Sequence, residues 1–321
     1  MYQPAVELEV KHLCKYYQIN RRCTLKAVDD ISFVIYKGET LGIVGESGCG
    51  KTTCGKTCIG MLPKTTGQVL FQGKDVHQIS HKDHLHFTRK VQMIFQDPYA
   101  SLDPHQRVYD IVAEGIRIHR LAANRVQEEK MVLTLLERVG LNAKHAMRNI
   151  HEFSGGQRQR IGIARALSVE PEFLFCDEPT SALDVSIQAQ IINLLLALQA
   201  QRKLTILFIS HDLLMVRHVS DRIGVMYLGK LVELSSADDL YNNPLHPYTQ
   251  MLLSSVPIAD PQACRTRKNI ILTSDIPSAI NPPDGCRFAS RCSHCTTHCQ
   301  NTVPNWTEIS PGHWVACHLY V

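Results

Sequence analysis

The stretch Gly45-Glu-Ser-Gly-Cys-Gly-Lys51-Thr52 sets glycines, a lysine and a threonine in the spacing G-x-x-x-x-G-K-T. Those residue types at that spacing can hold phosphate. Glycine lets successive backbone N–H groups curl around an anion, and the helix that follows offers the positive end of its dipole. Lys51 adds a point charge, and Thr52 a hydroxyl suited to a magnesium ion. An ordinary glycine-rich turn has the same composition, so the flanks matter. An apolar "TLGIV" precedes the loop and a helical pattern follows it.

Three further stretches carry chemistry. "FLFCDE" is an apolar run ending on Asp177 and Glu178. Asp177 is placed to hold magnesium through water and Glu178 to polarise an attacking water, although a solvated strand end would look alike. "FSGGQRQR", from Phe153 to Arg160, opens a helix with a serine and two glycines, a second cluster of N–H groups suited to an anion. A simple N-cap explains Ser154 equally well. Near the end, "GCRFASRCSHCTTHC" puts four cysteines into fifteen positions, and Cys317 follows.

The elements that must position these residues alternate. Residues 6 to 44 read as strands joined by turns, and "QVLFQGKDV" and "KVQMIFQDP" as further strands, the second stopped by Pro98. From about 108 to 145 the apolar spacing is helical; helices are also predicted from near Ser154 and over "DVSIQAQIINLLLALQAQ". "FLFCDEP" and "LTILFISHD" read as short buried strands, so a parallel sheet covered on both faces is predicted. After about 235, prolines at 244, 247, 257, 261, 277, 282 and 283 mark a loop-rich C-terminal extension.

Bulk properties narrow the setting. A net charge of +4 with 20% charged residues argues against nucleic acid as an obligatory partner. No run approaches the ~18 consecutive apolar residues of a membrane span, and "MYQPAVELEVKHLCKYY" has no apolar signal segment. A cytosolic chain is expected, and there twelve cysteines read as buried thiols, reactive thiols or metal ligands rather than disulfides.

The order of these stretches resembles the ATP-binding cassette (ABC) ATPases: phosphate loop, glutamine loop, SGGQ signature, DE strand and switch histidine, all between residue 6 and about 235. The resemblance implies an α/β fold with a RecA-like parallel sheet core, an antiparallel β subdomain and a helical subdomain. The cassette would span 1–235 with its helical part at about 97–155, and the cysteine-containing extension 236–321. It implies ATP contacts from Gly45, Glu46, Ser47, Gly48, Cys49, Gly50, Lys51, Thr52 and Thr53, and adenine stacking by Tyr17, with Tyr16 adjacent. Thr52, Gln96 and Asp177 would serve Mg²⁺; Glu178, His211 and Gln96 would be catalytic. Ser154, Gly155, Gly156 and Gln157 would act in trans on ATP held by a second, related ATPase in a head-to-tail dimer, with Asp184 signalling across it. Phe153 replaces the common signature leucine, and Cys49 and Cys176 are further departures. Beside Lys51 and a helix start, Cys49 is expected to favour its thiolate.

The tail selects a branch. "NNPLHPYTQMLLSSVPIADP", with "FQDPYASLDP" and "CDEPTSALDVSIQAQ", resembles oligopeptide and dipeptide importer ATPases, most of all the F-type subunit. That implies two membrane permeases, an extracytoplasmic binding protein, no nucleic acid, and a peripheral place on the cytoplasmic face of a bacterial inner membrane. A coupling helix would dock around 97 to 113. Nickel, glutathione and antimicrobial-peptide transporters share these motifs. Ribosome- and DNA-associated ABC ATPases are disfavoured by the single cassette and by the short interval between loop and signature. The same resemblance maps a [4Fe–4S] cluster onto Cys286, Cys292, Cys299 and Cys317. Zinc is the alternative, because Cys292 and Cys295 form a C-x2-C with His294, His298 and His318 nearby. Either centre is expected to be structural, outside the ATP machinery.

Overall fold

The computed structural model describes residues 5–181, 183–256 and 277–320. The prolines at 257 and 261 and Ala182 of "SALD" lie outside the described residues. The rest divides into two units: the described residues within 1–36, 40–77 and 208–321 form the first, and 37–39 with 78–207 the second.

Alternation builds the start of the first unit. Strand β1 (Val6–Asn20) buries Leu8, Val10 and Leu13, and β2 (Cys23–Tyr36) buries Val28, Ile31, Phe33 and Ile35. The two pair antiparallel, with Val10 opposite Phe33. Strand β3 (Thr40–Val44) is buried along its whole length and feeds the glycine loop, from which helix α1 (Lys51–Cys58) leaves. Strands β4 (Thr66–Phe71) and β5 (Lys74–Asp75) complete a four-stranded sheet in the order β2-β1-β4-β5. All its pairs are antiparallel, as expected of the β subdomain.

The second unit is mostly helical: α2 (His81–Lys90), strand β6 (Val91–Ile94), then α3 (Pro98–Ser101), α4 (Val108–Ile118), α5 (Arg125–Arg138) and α6 (Gly155–Leu167). Strand β7 (Phe173–Asp177) and helix α7 (Val185–Arg202) follow. Val112 and Ile116 of α4, Val132 and Leu136 of α5, and Ile161 and Ala164 of α6 make the apolar core of this unit. Strands β6 and β7 pair in parallel, Met93 opposite Phe175. Every residue of β7 is buried, which is why its sequence is apolar without alternation. Helix α2 was not legible in the sequence: it buries no residue, so it has no apolar stripe to show.

Through β8 (Thr205–Ile209) the chain returns to the first unit and continues as α8 (Leu213–Val219), β9 (Arg222–Tyr227) and β10 (Lys230–Ser236). The extension is less loop-like than its prolines suggest. It contains α9 (Ala237–Asn242), α10 (Pro247–Ser254), α11 (Thr297–Asn301) and strands β11 (Thr307–Ser310) and β12 (His313–Val315). These strands are too short to show a period, and they join β10 as an edge, with Val315 opposite Glu233. Within this unit the order is β11-β12-β10-β9-β3, and β3 runs parallel to β9. No helix among the described residues is long and apolar enough to cross a membrane.

Candidate functional site

The glycine loop has the backbone its spacing predicts. Gly45, Gly48 and Gly50 all take positive φ. A side chain at Gly45 would place its first carbon 2.1 Å from the Met226 carbonyl, and one at Gly50 would stand 2.0 Å from that of Ala27. These positions must therefore be glycine. Gly50 is the left-handed N-cap of α1 and supplies no side-chain cap, and no acidic residue lies in the first turn. A helix start with no side-chain cap suits an anion. Lys51 is buried and lies back over the loop, donating to the carbonyls of Gly45 at 2.8 Å and Glu46 at 3.1 Å. Ser47 and Gly48 are exposed, and Thr52 and Thr53 half-buried in the first turn.

Cys49 departs from expectation. Its sulfur lies 3.9 Å from the Lys51 ammonium, but the side chain is buried. Burial acts more strongly than the lysine and pushes the thiol up, so Cys49 is a protonated packing residue rather than a favoured thiolate.

Tyr16 and Tyr17 differ in partners. The Tyr16 hydroxyl donates to Asp29, whereas the Tyr17 ring carries Lys15, its ammonium 4.7 Å from the ring centre. His211 is exposed just beyond β8.

In the second unit, Asp177 is the buried last residue of β7. Glu178 follows with φ of 43°, a conformation that turns the chain off the strand. Its carboxylate accepts a 2.9 Å hydrogen bond from the Gln96 amide, so the structure joins two residues the sequence placed 82 positions apart. Ser154 caps α6: its hydroxyl accepts from the Gln157 N–H at 3.4 Å, and the Gln157 side chain accepts from the Ser154 N–H at 3.1 Å. Gly155 and Gly156 form the first turn, and a side chain on Gly156 would stand 2.6 Å from Ile187 of α7. Phe153 is buried edge-on against His145, with the Arg148 guanidinium 5.1 Å from its ring centre, which accounts for an aromatic at the leucine position. Asp184 is the exposed residue that opens α7.

In the extension, Cys286, Cys292, Cys299 and Cys317 line one cavity together with His246, His294 and His318; Cys295 is not among the lining residues. Every described cysteine is free. Burial first, then the neighbouring thiols, push Cys286 up to about 11. Among the described residues no group of three or more His, Cys, Asp or Glu side chains is placed to hold a metal ion.

The sequence did not reveal how this extension meets the glycine loop. Arg291, between Cys286 and Cys292, makes a two-pronged ion pair with Glu46, at 2.8 and 3.0 Å. The Glu46 N–H donates to the Tyr248 hydroxyl at 3.0 Å. Arg287 donates to Asp29 and to the Leu228 carbonyl. The expectation that the cysteine stretch stands apart from the phosphate-binding machinery is therefore corrected. Only the arginines inside the stretch hinted at it, since Glu46 and Asp29 lie more than two hundred positions away.

Comparison with known proteins agrees with this geometry. Residues 28–181 match the family model described as ABC transporter, and residues 232–299 that described as the C-terminal region of oligopeptide/dipeptide transporters. The chain is 55% identical over 311 residues to the oligopeptide transport ATP-binding protein OppF of Bacillus subtilis (strain 168), covering 97% of this chain and 95% of that one. It is 52% identical over 320 residues to AppF of the same strain, covering 98% and 97%. Among solved structures, a dimeric post-hydrolysis state of the cassette MJ0796 bound to ADP and Pi matches with a TM-score of 0.66 at 26% identity, covering 72% of this chain and 98% of that one. CbiO1 from Clostridium perfringens, part of the cbiONQ ABC transporter complex, matches with a TM-score of 0.66 at 28% identity, covering 74% and 92%. The chain belongs to the ABC transporter family, as an ATP-binding, ATP-hydrolysing subunit of the oligopeptide transport type.

Proposed function

We propose that this subunit powers import of di- and oligopeptides through a membrane complex. One observation carries the reading: the likeness to oligopeptide transport ATP-binding proteins runs nearly end to end, extension included. The cassette is read as 1–235, with its helical part at about 97–155, and the extension as 236–321. In this reading Tyr17 stacks on adenine, the Tyr16 hydroxyl being engaged by Asp29. The loop from Gly45 to Thr53 cradles the phosphates, and Lys51 exchanges its contacts with the Gly45 and Glu46 carbonyls for phosphate oxygens. Glu178 takes a proton from the attacking water while Gln96, hydrogen-bonded to it, holds its orientation. His211 meets the γ-phosphate. Thr52, Gln96 and Asp177 are hard oxygen donors of the kind that suit Mg²⁺, which supplies charge neutralisation on the phosphates when bound.

A second ATPase subunit would close head to tail, each bringing Ser154, Gly155, Gly156 and Gln157 to the other's ATP, with Asp184 at the junction. Of two permeases in the complex, one would dock a coupling helix around 97 to 113, over α3 and the start of α4, on the cytoplasmic face of the inner membrane. An extracytoplasmic binding protein would deliver substrate. Purifying the subunit with its permeases and measuring uptake tests this. Peptide taken up with ATP consumed is the expected result. ATPase stimulated by binding protein with Ni²⁺ but not with peptide would move the assignment to a metal transporter.

Cys286, Cys292, Cys299 and Cys317 are read as the ligands of a [4Fe–4S] cluster. Four thiols round one cavity fit such a group in chemistry, and Cys295 stands aside. Zinc is the alternative, with His294 and His318 on the same cavity; among the described residues no group is placed to hold either centre. Bound, the cluster would cross-link the extension. Iron and acid-labile sulfide in anaerobically purified protein should fall sharply in Cys299→Ser and stay unchanged in Cys295→Ser. Zinc without sulfide would reverse the choice.

A further inference from the structure

We propose that Arg291 is a positioning residue for the phosphate loop, so that the C-terminal extension sets the subunit's affinity for ATP. The inference rests on reading the loop as the ATP site. Arg291 is held in place: its side chain is 3% exposed, and its guanidinium stands over Tyr227 and bonds that hydroxyl at 3.3 Å. Tyr227, Tyr248 and Phe288 pack as a three-ring platform with centroids 4.6 to 5.4 Å apart. From this platform Arg291 grips both carboxylate oxygens of Glu46 and Tyr248 receives the Glu46 N–H. A two-pronged pair fixes the plane of the carboxylate as well as its position.

The need for such a grip is electrostatic. Glu46 follows the first glycine of a loop built to receive a highly negative ligand. Without a partner its carboxylate would repel the phosphates and compete for Lys51, whose ammonium is already 3.1 Å from the Glu46 carbonyl. Arg291 cancels that charge at its source. A second thread runs parallel to the first. Arg287 bonds the Leu228 carbonyl, and the next residue, Gly229, donates to the Cys49 carbonyl at 2.8 Å. Both arginines lie in the seven residues from Cys286 to Cys292, so whatever fixes those cysteines also fixes the two grips.

The test uses the full chain with a fluorescent ATP analogue, and the assembled complex for hydrolysis. Arg291→Ala should weaken nucleotide binding roughly five- to thirty-fold, with the loss appearing in KM for ATP rather than in kcat. Arg291→Lys, which keeps the charge but not the fork, should fall between. Glu46→Gln in the Arg291→Ala background should recover most of the affinity, because it removes the charge that Arg291 offsets. A merely structural arginine would give no such rescue. Should Arg291→Ala not fold, Tyr248→Phe deletes a single hydroxyl at the loop and should still weaken binding by about two- to five-fold. Unchanged nucleotide affinity in a folded Arg291→Ala, or no rescue by Glu46→Gln, overturns the proposal while Lys51→Ala still abolishes binding. If Lys51→Ala binds like the wild type, the ATP-site reading itself falls and this inference with it.

Discussion

Two helices of this protein begin with a glycine-rich turn, and the two turns are capped in opposite ways. Helix α1 starts at Gly50, in a left-handed conformation with no side-chain cap. Helix α6 starts at Ser154, whose hydroxyl and the Gln157 side chain satisfy each other's backbone in a reciprocal box. The first start carries no side-chain cap, whereas the second is capped within the chain. If Ser154 works on a nucleotide held by another subunit, as proposed, this cap keeps its turn formed before the partner arrives. Helix α10 adds a third solution. His246 caps it through Nδ1, which accepts from the Tyr248 N–H at 3.0 Å.

The largest effect should come from filling the uncapped start. Gly50→Ala combines a φ of 105° with a clash against the Ala27 carbonyl, and should cost about 3 kcal/mol or more. Thermal melts should show the drop, and nucleotide titration a lost site. A melting point near wild type with ATP still bound would mean that the loop tolerates a side chain and that its glycines are not conformational requirements.

Acid should single out the third start. Burial holds His246 down at about 4 against an ordinary 6.5, with Glu233 opposing. The groups facing it are Glu233, which accepts its N–H, His313 on the same carboxylate, and the thiols and histidines of the cysteine cavity. Because the folded value is depressed, the unfolded chain binds the proton first. Stability from this group is therefore complete above pH 6.5 and lost as pH falls toward 4, by about 3 kcal/mol. Urea unfolding at stepped pH should show the decline, and His246→Asn, which retains an acceptor, should flatten it. An unchanged slope in the variant would place the acid sensitivity elsewhere.

The smallest effect belongs to the completed cap. Ser154→Ala should reduce stability by about 1 kcal/mol, read as a shifted denaturation midpoint, while hydrolysis by the assembled pair falls further than that loss explains. Equal losses in both readouts would reduce Ser154 to a cap and remove the contrast between the two starts.

Much of this was legible in order and type. Backbone requirements are local, so the positive-φ glycines of the loop, the Ser154 cap and the buried strand ending on Asp177 could be read from a few adjacent residues. The fully buried run of β7 announced a covered sheet for the same reason. What escaped was either without pattern or without locality. Helix α2 buries nothing, and β11 and β12 are too short to carry a period. The thiolate expectation for Cys49 failed because proximity to Lys51 is visible in sequence while burial is not.

The sequence by itself therefore determined the chemistry available: a phosphate loop, a carboxylate pair, a capped glycine turn and a set of cysteines. Only the tertiary structure decided which of these act together. Gln96 meets Glu178, four cysteines share a cavity that the fifth does not line, and Arg291 grips Glu46 across 245 positions of chain. Side-chain pairing of this kind depends on where the folded backbone brings distant segments, and no local spacing encodes it.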